Sequence, residues 1–217
     1  NEVIIMNGQW VTSECDTPIF KKTFELASLN EATLNICGLG FFEAYLNGSK
    51  VSEDLFVPAW SDYEPRENRR LKYPINDTFT HRVYYLSYDV SSHLHIGENT
   101  LEVFLGGGWY AQNVRNIEGD LWYGEPKLCF ELALTDQSGT ASSVCSDETL
   151  TWAPSYITST NIYAGEQQDF RLMPPDNWKP AVLTDAPRGE LCLQESPPDR
   201  LIRKVKPICL TKNQQTA

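Results

Sequence analysis

The sequence lacks the features that mark membrane-spanning, zinc-binding and nucleic-acid-binding proteins. No stretch reaches the roughly eighteen apolar residues that a membrane span needs. The six cysteines are scattered and form no CxxC pair, which disfavours a zinc site and indicates reduced, mostly buried thiols. The 18 Lys and Arg are outnumbered by 29 Asp and Glu, for a net charge of −11, whereas nucleic-acid-binding surfaces are basic. We therefore expect neither a membrane nor a nucleic-acid partner.

The cysteine pattern also bears on the cellular compartment. A disulfide framework is typical of small secreted domains, and scattered cysteines in a chain of 217 residues do not resemble one. We therefore expect a cytoplasmic protein. Secretion remains the alternative, because a signal peptide can be removed from a mature chain.

Residues that would form a catalytic centre are also scarce. There are three histidines, and none accompanies a nucleophile in a strained strand-to-helix turn. The glycines at 106–108 are not followed by the Lys-Ser/Thr of a phosphate loop. Acidic residues are so abundant that no particular pair stands out as the two carboxylates of a glycoside hydrolase. We therefore expect no catalytic residue in this chain.

What the sequence does contain is a strand pattern rich in aromatic residues. Six Trp, ten Tyr and nine Phe accompany 13 Gly and 13 Pro. Apolar and polar residues alternate over 20–26, 32–37 and 100–105, which is typical of half-buried strands. Asn47-Gly48 follows one such run and predicts a two-residue hairpin turn. Short strands separated by Gly and Pro turns predict an all-β, antiparallel jelly-roll sandwich.

Composition divides the chain into three segments. We expect a lead-in strand or linker at residues 1–16 and the sandwich at residues 17–173. Residues 174–217 are rich in proline and predict an extended exit segment, with one strand near residues 191–194.

The strongest candidate for ligand contact is the turn after the three glycines. Trp109, Tyr110 and Asn113 lie there, and an exposed ring can stack on the apolar face of a sugar while an amide binds its hydroxyls. The alternative is that these rings cap the core at one end of the sandwich.

A second candidate site combines acidic and basic residues. Glu166, Asp169 and Arg171 follow one another closely, and at strand spacing Asp169 and Arg171 share a face. They could bind a sugar hydroxyl or contact another domain; the alternative is an ion pair that serves only the fold.

Several motifs in order resemble the N-terminal accessory domain of bacterial α-L-rhamnosidases. The resemblance covers residues 17–210 and rests on these segments: the hairpin region 38–51, Pro58-Ala59-Trp60-Ser61-Asp62-Tyr63, Tyr88-Asp89-Val90-Ser91, Gly97-Glu98-Asn99, Gly106-Gly107-Gly108-Trp109-Tyr110, Gly165-Glu166 with Asp169-Phe170-Arg171, Gln194-Glu195-Ser196-Pro197-Pro198 and Val205-Lys206-Pro207. It implies a galactose-binding-like jelly roll that precedes a catalytic barrel beyond Ala217, which would hydrolyse terminal α-L-rhamnose. Residues 64–82 are longer and more charged than the family pattern.

The resemblance also implies a function and a possible ion. We expect a non-catalytic accessory domain whose partner is the missing C-terminal catalytic domain of the same polypeptide, and which either only packs against it or also binds rhamnose-containing glycan. The alternatives are a free-standing, lectin-like carbohydrate-binding module and a complete small hydrolase. No cofactor is expected except calcium, which some family members bind; the candidate oxygen ligands are Asn47, Asp54 and Asn99.

Overall fold

The computed structural model describes residues 6–65, 80–112 and 122–209. In these ranges the chain forms fifteen β-strands and two 3₁₀ turns, Ser91–His93 and Phe170–Leu172. The strands are β1 (Val11–Thr12), β2 (Pro18–Leu26), β3 (Glu31–Leu39), β4 (Phe42–Leu46), β5 (Ser49–Lys50), β6 (Arg82–Asp89), β7 (Gly97–Leu105), β8 (Lys127–Thr135), β9 (Ala141–Cys145), β10 (Thr151–Pro154), β11 (Ile157–Asn161), β12 (Gly165–Gln168), β13 (Lys179–Pro180), β14 (Val182–Leu183) and β15 (Glu190–Leu193).

The strands form two large sheets and a small hairpin. The seven-stranded sheet has the order β14-β1-β8-β3-β6-β15, with β9 also paired to β8, and the six-stranded sheet has the order β13-β10-β2-β7-β4-β5. Strands β11 and β12 pair only with each other. From β2 to β10 the chain crosses repeatedly between the two sheets, and the pairs among these strands are antiparallel. The predicted all-β jelly-roll sandwich is confirmed.

The predicted hairpin turn lies where the sequence placed it. Tyr45 pairs with Lys50 and Leu46 with Ser49, which leaves Asn47 and Gly48 as the two turn residues. Their φ angles are 53° and 77°, the left-handed values that a type I′ turn requires at both positions. The Asn-Gly dipeptide therefore determines the register of this hairpin.

The main core fills the space between the two sheets. Strands β3 and β8 contribute alternate residues such as Leu34, Ile36 and Phe130, which are completely buried. Trp152 on β10 and Phe20 on β2 close the core from the six-stranded sheet. Because apolar burial drives folding, this alternation is what holds the two sheets together.

A second apolar cluster covers the outer face of the seven-stranded sheet. On β3, Cys37 belongs to this cluster whereas Ile36 belongs to the main core, as expected when successive side chains point to opposite faces. Tyr63 and Tyr110 come from loops and pack over this face. Residues 34–39 of β3 are therefore buried on both faces of the sheet.

The proline-rich segment contributes strands to both sheets. Strand β13 pairs with β10, β14 pairs with β1, and β15 adds to β6 as a parallel strand. The strand expected near residues 191–194 is thus β15, and the sandwich continues past the predicted boundary at residue 173 as far as Leu193. The lead-in segment likewise contributes β1.

Most of the charged stretch at residues 64–82, namely 66–79, lies outside the described residues. Among the residues that the structure describes, no helix has the length and apolar character to cross a membrane.

Candidate functional site

The glycine-rich turn allows two backbone segments to touch. Gly106 donates its N–H to the carbonyl of Phe41 at 2.8 Å. A Cβ added to Gly40 would collide with the Gly106 carbonyl, and one added to Gly108 would lie 2.8 Å from the Phe41 nitrogen. Gly107 donates to Thr160 Oγ1 at 3.1 Å, so the turn also holds strand β11. This close backbone approach joins β4, β7 and the β11–β12 hairpin.

Three rings next to this turn form a cluster at the protein surface, here named the surface aromatic cluster. Trp60 and Trp109 are stacked, with ring centroids 5.3 Å apart, and Tyr163 meets Trp109 edge-on at 6.2 Å. Trp60 is 55% exposed and Tyr163 52% exposed, while Trp109 is half-buried. Exposed rings of this kind can stack on a sugar or on another protein.

The other two residues of the predicted turn site do not join this cluster. Tyr110 is completely buried; its ring lies 5.2 Å from Tyr63 and is stacked on Tyr123 at 5.7 Å. The expectation that Tyr110 contacts a ligand is therefore corrected, because its ring faces are covered by the second apolar cluster. Asn113 lies outside the described residues.

A cleft of about 710 Å³ lies between the end of the six-stranded sheet and the β11–β12 hairpin. We name it the hairpin cleft. Its aromatic lining includes Phe41, Phe56, Phe104 and Tyr156. Gly108 and Ile162 also line it, and these residues directly precede Trp109 and Tyr163 in the chain, so the surface aromatic cluster continues from its wall.

The polar lining of the hairpin cleft is acidic. Glu43, Asp54 and Glu166 contribute carboxylates. Lys50 pairs with Glu43 at 2.6 Å and Arg200 pairs with Asp54 at 2.9 Å. The Tyr45 hydroxyl donates to Glu43 Oε2 at 2.8 Å. Burial first, and this hydrogen bond to the Glu43 carboxylate second, raise the pKa of Tyr45. Two of the three carboxylates are therefore paired with a cation, and the cleft is chiefly an aromatic, apolar pocket.

Asp169 and Arg171 form the pair that the sequence suggested, but in a 3₁₀ turn and not in a strand. The guanidinium donates to both carboxylate oxygens of Asp169, from Nε at 2.8 Å and from Nη2 at 2.5 Å. Asp169 caps the 3₁₀ turn Phe170–Leu172 by accepting from the Arg171 N–H, so the expected strand face is wrong. Hydrogen bonds from the Arg171 side chain and backbone hold the pKa of Asp169 below its usual range.

The third member of that group, Glu166, lies on β12 and accepts a hydrogen bond from Gln168. It faces the hairpin cleft, whereas the Arg171 side chain is 89% exposed. The structure thus brings Asp169 and Arg171 together and places Glu166 in the neighbouring cleft.

The three candidate calcium ligands belong to two separate networks. Asn47 donates to Asn99 Oδ1 at 2.8 Å, and its own Oδ1 accepts from the Thr100 N–H at 3.0 Å. Asp54 instead accepts from Arg200 and from Tyr88. Because these oxygens already accept hydrogen bonds from N–H and O–H groups, they do not fit a calcium site in this arrangement. Calcium binding by the chain stays a prediction.

The described residues contain no group of three or more His, Cys, Asp or Glu side chains arranged to hold a metal ion.

Two aromatic residues of the site were not predicted from the sequence. Tyr163 and Phe56 were not singled out, because both lie in irregular turns where no alternation marks the exposed positions.

Comparison with known proteins places these features in a family. The sequence profile of the Alpha-L-rhamnosidase N-terminal domain matches residues 27–203. An α-L-rhamnosidase of Formosa agariphila is 35% identical over 149 residues, which are 66% of this chain and 14% of that protein. One of Streptomyces avermitilis is 33% identical and is matched over 66% of this chain and 12% of its own length.

Solved structures agree. The α-L-rhamnosidase from Dictyoglumus thermophilum superposes with a TM-score of 0.77 at 25% identity, covering 94% of this chain and 24% of that one. The Streptomyces avermitilis α-L-rhamnosidase complexed with L-rhamnose gives a TM-score of 0.70 at 27% identity, covering 90% of this chain and 18% of that one. The chain spans less than a quarter of each of these relatives, and it belongs to the family of α-L-rhamnosidase N-terminal domains.

Proposed function

We propose that this chain is a non-catalytic accessory domain of an α-L-rhamnosidase and that it packs against the catalytic domain of the same polypeptide. The relatives it matches are several times longer than the chain. The described residues offer a cleft and an aromatic surface, and neither contains a paired nucleophile and base.

The observation that carries the proposal is a surface that we name the docking face, residues 170–173. Phe170 is 66% exposed, and Leu172 and Met173 are exposed as well. Between them projects Arg171, whose guanidinium is held in place by Asp169. Interfaces are enriched in aromatic, Met and Arg residues, and an arginine that is already ordered loses less conformational entropy on binding.

The N–H groups of Arg171 that Asp169 does not use indicate which chemical groups the docking face contacts. Two of the five N–H groups of Arg171 are used by Asp169, which leaves three for a partner. A carboxylate or a pair of carbonyl oxygens, framed by apolar side chains, would satisfy them. Charge pairs in such interfaces fix the orientation of two domains more than they add affinity.

Titration between this chain and the remaining part of the longer polypeptide, produced separately, tests the proposal. We expect binding that Arg171→Ala weakens by about 2 kcal/mol, as at an interface hot spot. Lys127→Ala serves as the control, because Lys127 lies on β8 in the other sheet. Equal affinity for the Arg171→Ala variant and the native chain would contradict the assigned face.

The non-catalytic part of the proposal has its own test. The purified chain is expected to leave 4-nitrophenyl α-L-rhamnopyranoside intact, because hydrolysis needs two opposed carboxylates and two of the three in the hairpin cleft, Glu43 and Asp54, are held by Lys50 and Arg200. Hydrolysis that survives repeated purification would overturn it.

A second function, carbohydrate binding by a free-standing or attached module, is favoured by the surface aromatic cluster. The stacked Trp60 and Trp109 present ring surface beside a polar hairpin. Calorimetric titration with L-rhamnose should give saturable heat that Trp109→Ala reduces. Trp178→Ala is the matched control, because Lys21 Nζ lies over that indole, 4.8 Å from the ring centroid, and covers one of its faces. Flat traces for the native chain at millimolar sugar would exclude this function.

A further inference from the structure

One loop of the chain touches both the hairpin cleft and the segment that leaves the sandwich. This loop, residues 54–59, follows strand β5. Asp54, Leu55 and Phe56 line the cleft. On its other side the loop is tied to residues 194–200, here named the exit strap.

The ties lie at both ends of the loop. At one end Leu55 forms an antiparallel bridge with Asp199 and donates its N–H to the Asp199 carbonyl at 2.9 Å. At the other end the Ala59 N–H donates to Gln194 Oε1 at 2.7 Å. Gln194 in turn donates its own N–H to the Tyr85 carbonyl at 2.9 Å, which joins it to strand β6.

A buried carboxylate strengthens the first tie. The Asp54 side chain is 6% exposed and uses both oxygens: Oδ1 accepts from Arg200 Nε at 2.9 Å and Oδ2 from the Tyr88 hydroxyl at 3.1 Å. A buried carboxylate that loses its cationic partner is strongly disfavoured. The buried position of Asp54 therefore depends on Arg200, in the exit strap, remaining beside it.

Between the two ties the backbone is strained. Phe56 has a φ of 55°, a left-handed value that is unusual for a bulky residue. Such a conformation persists only where the surroundings determine it. Its ring is 62% exposed and lies 5.5 Å from Phe41 across the cleft wall, so the burial of Phe56 does not account for the conformation. Its neighbours are fixed on both sides: Leu55 by its bridge to Asp199, and Val57 by burial in the main core and by its carbonyl, which accepts from the Phe42 N–H at 3.0 Å.

We propose that residues 54–59 act as a strained bridge that couples the wall of the hairpin cleft to the exit strap. Movement of Phe56 at the cleft wall then loosens the ties to Asp199 and Gln194, and release of the strap frees Phe56. This coupling is a property of the chain alone and holds whether or not the docking face contacts a catalytic domain.

Hydrogen exchange on the purified chain, followed by mass spectrometry, tests the coupling with two substitutions at one position. Asn tolerates the left-handed conformation and a β-branched residue does not. We expect Phe56→Asn to slow exchange and Phe56→Val to accelerate it, in peptides from the loop and also in those from the exit strap. If both variants changed the loop and neither changed the strap, the coupling would be refuted.

A third substitution tests the ion pair between Asp54 and Arg200, here named the latch. Asp54→Asn removes the ionic partner of Arg200 and should accelerate exchange of the Leu55 amide about tenfold, since hydrogen bonds to charged groups are among the stronger ones. Asp89→Asn is the control, because Asp89 follows Tyr88 at the end of β6 but its carboxylate accepts from Ser91 and not from the exit strap. Unchanged exchange at Leu55 in a folded Asp54→Asn variant would rule out the latch.

Discussion

Two aromatic clusters differ in exposure although their residues are neighbours in the chain. Trp60 and Trp109 belong to the surface aromatic cluster, while Tyr63 and Tyr110 belong to the apolar layer on the seven-stranded sheet. Trp109 and Tyr110 are even adjacent in sequence. One turn thus supplies a half-buried surface ring and a completely buried ring at successive positions.

The physical cause lies in the strands beneath the turn. The outer face of β3 and β8 presents Cys37, Leu39 and Cys129, and Tyr110 covers them. Trp109 instead stacks on Trp60, which is not part of that layer. We therefore expect substitutions in the buried cluster to change stability, and those in the surface cluster to change binding.

The largest effect is expected for Tyr110→Ala. Removing a fully buried aromatic ring costs about 3–5 kcal/mol, and chemical denaturation should show this loss. Tyr110→Phe is the control: the hydroxyl has no hydrogen-bond partner among the described residues, so its removal should leave stability unchanged or slightly raised. A small effect of Tyr110→Ala would mean that the ring is not part of the core.

The thiols beneath the buried cluster give a second test. Burial, as the largest cause, raises the pKa of Cys129 to about 12, so at pH 8 its thiolate is about a thousandfold scarcer than that of an ordinary cysteine. Cys209 is exposed. Iodoacetamide should label Cys209 rapidly and Cys129 only after unfolding, as peptide mapping can show. Rapid labelling of Cys129 in the folded chain would contradict the closed layer.

A smaller effect is expected in the surface cluster. A double-mutant cycle of Trp60→Ala and Trp109→Ala should give a coupling energy of about 1 kcal/mol, the range of a stacked aromatic pair. Trp60→Ala alone should lower the free energy of unfolding by a similarly small amount, because Trp60 is largely exposed. Strict additivity of the two substitutions in urea unfolding would show that the rings do not touch in solution.

Much of the fold could be predicted because its signals are local. The Asn47-Gly48 turn and the alternation over 20–26 each act on their own neighbours. Strands β13 and β14 were not predicted, because residues such as Lys179 and Val182 pair with distant parts of the chain and carry no alternation of their own.

The candidate site could be predicted only in part, for similar reasons. Asp169 and Arg171 were paired correctly, since residues two apart are close on many backbones, but the 3₁₀ turn that orients them depends on the Asp169 cap. The inward position of Tyr110 could not be inferred, because in an irregular turn nothing in the sequence tells which of two adjacent rings meets the sheet. Phe56 and Tyr163 escaped notice for the same reason.

The most direct test of the accessory role is hydrogen exchange of this domain alone and within the longer polypeptide. Our account predicts that amides at residues 165–173, around the exposed Phe170 and Arg171, become markedly protected in the longer polypeptide, while those of β3 and β8 are slow in both. Equal exchange at residues 165–173 in the two forms would contradict the docking face and the packing role assigned to it.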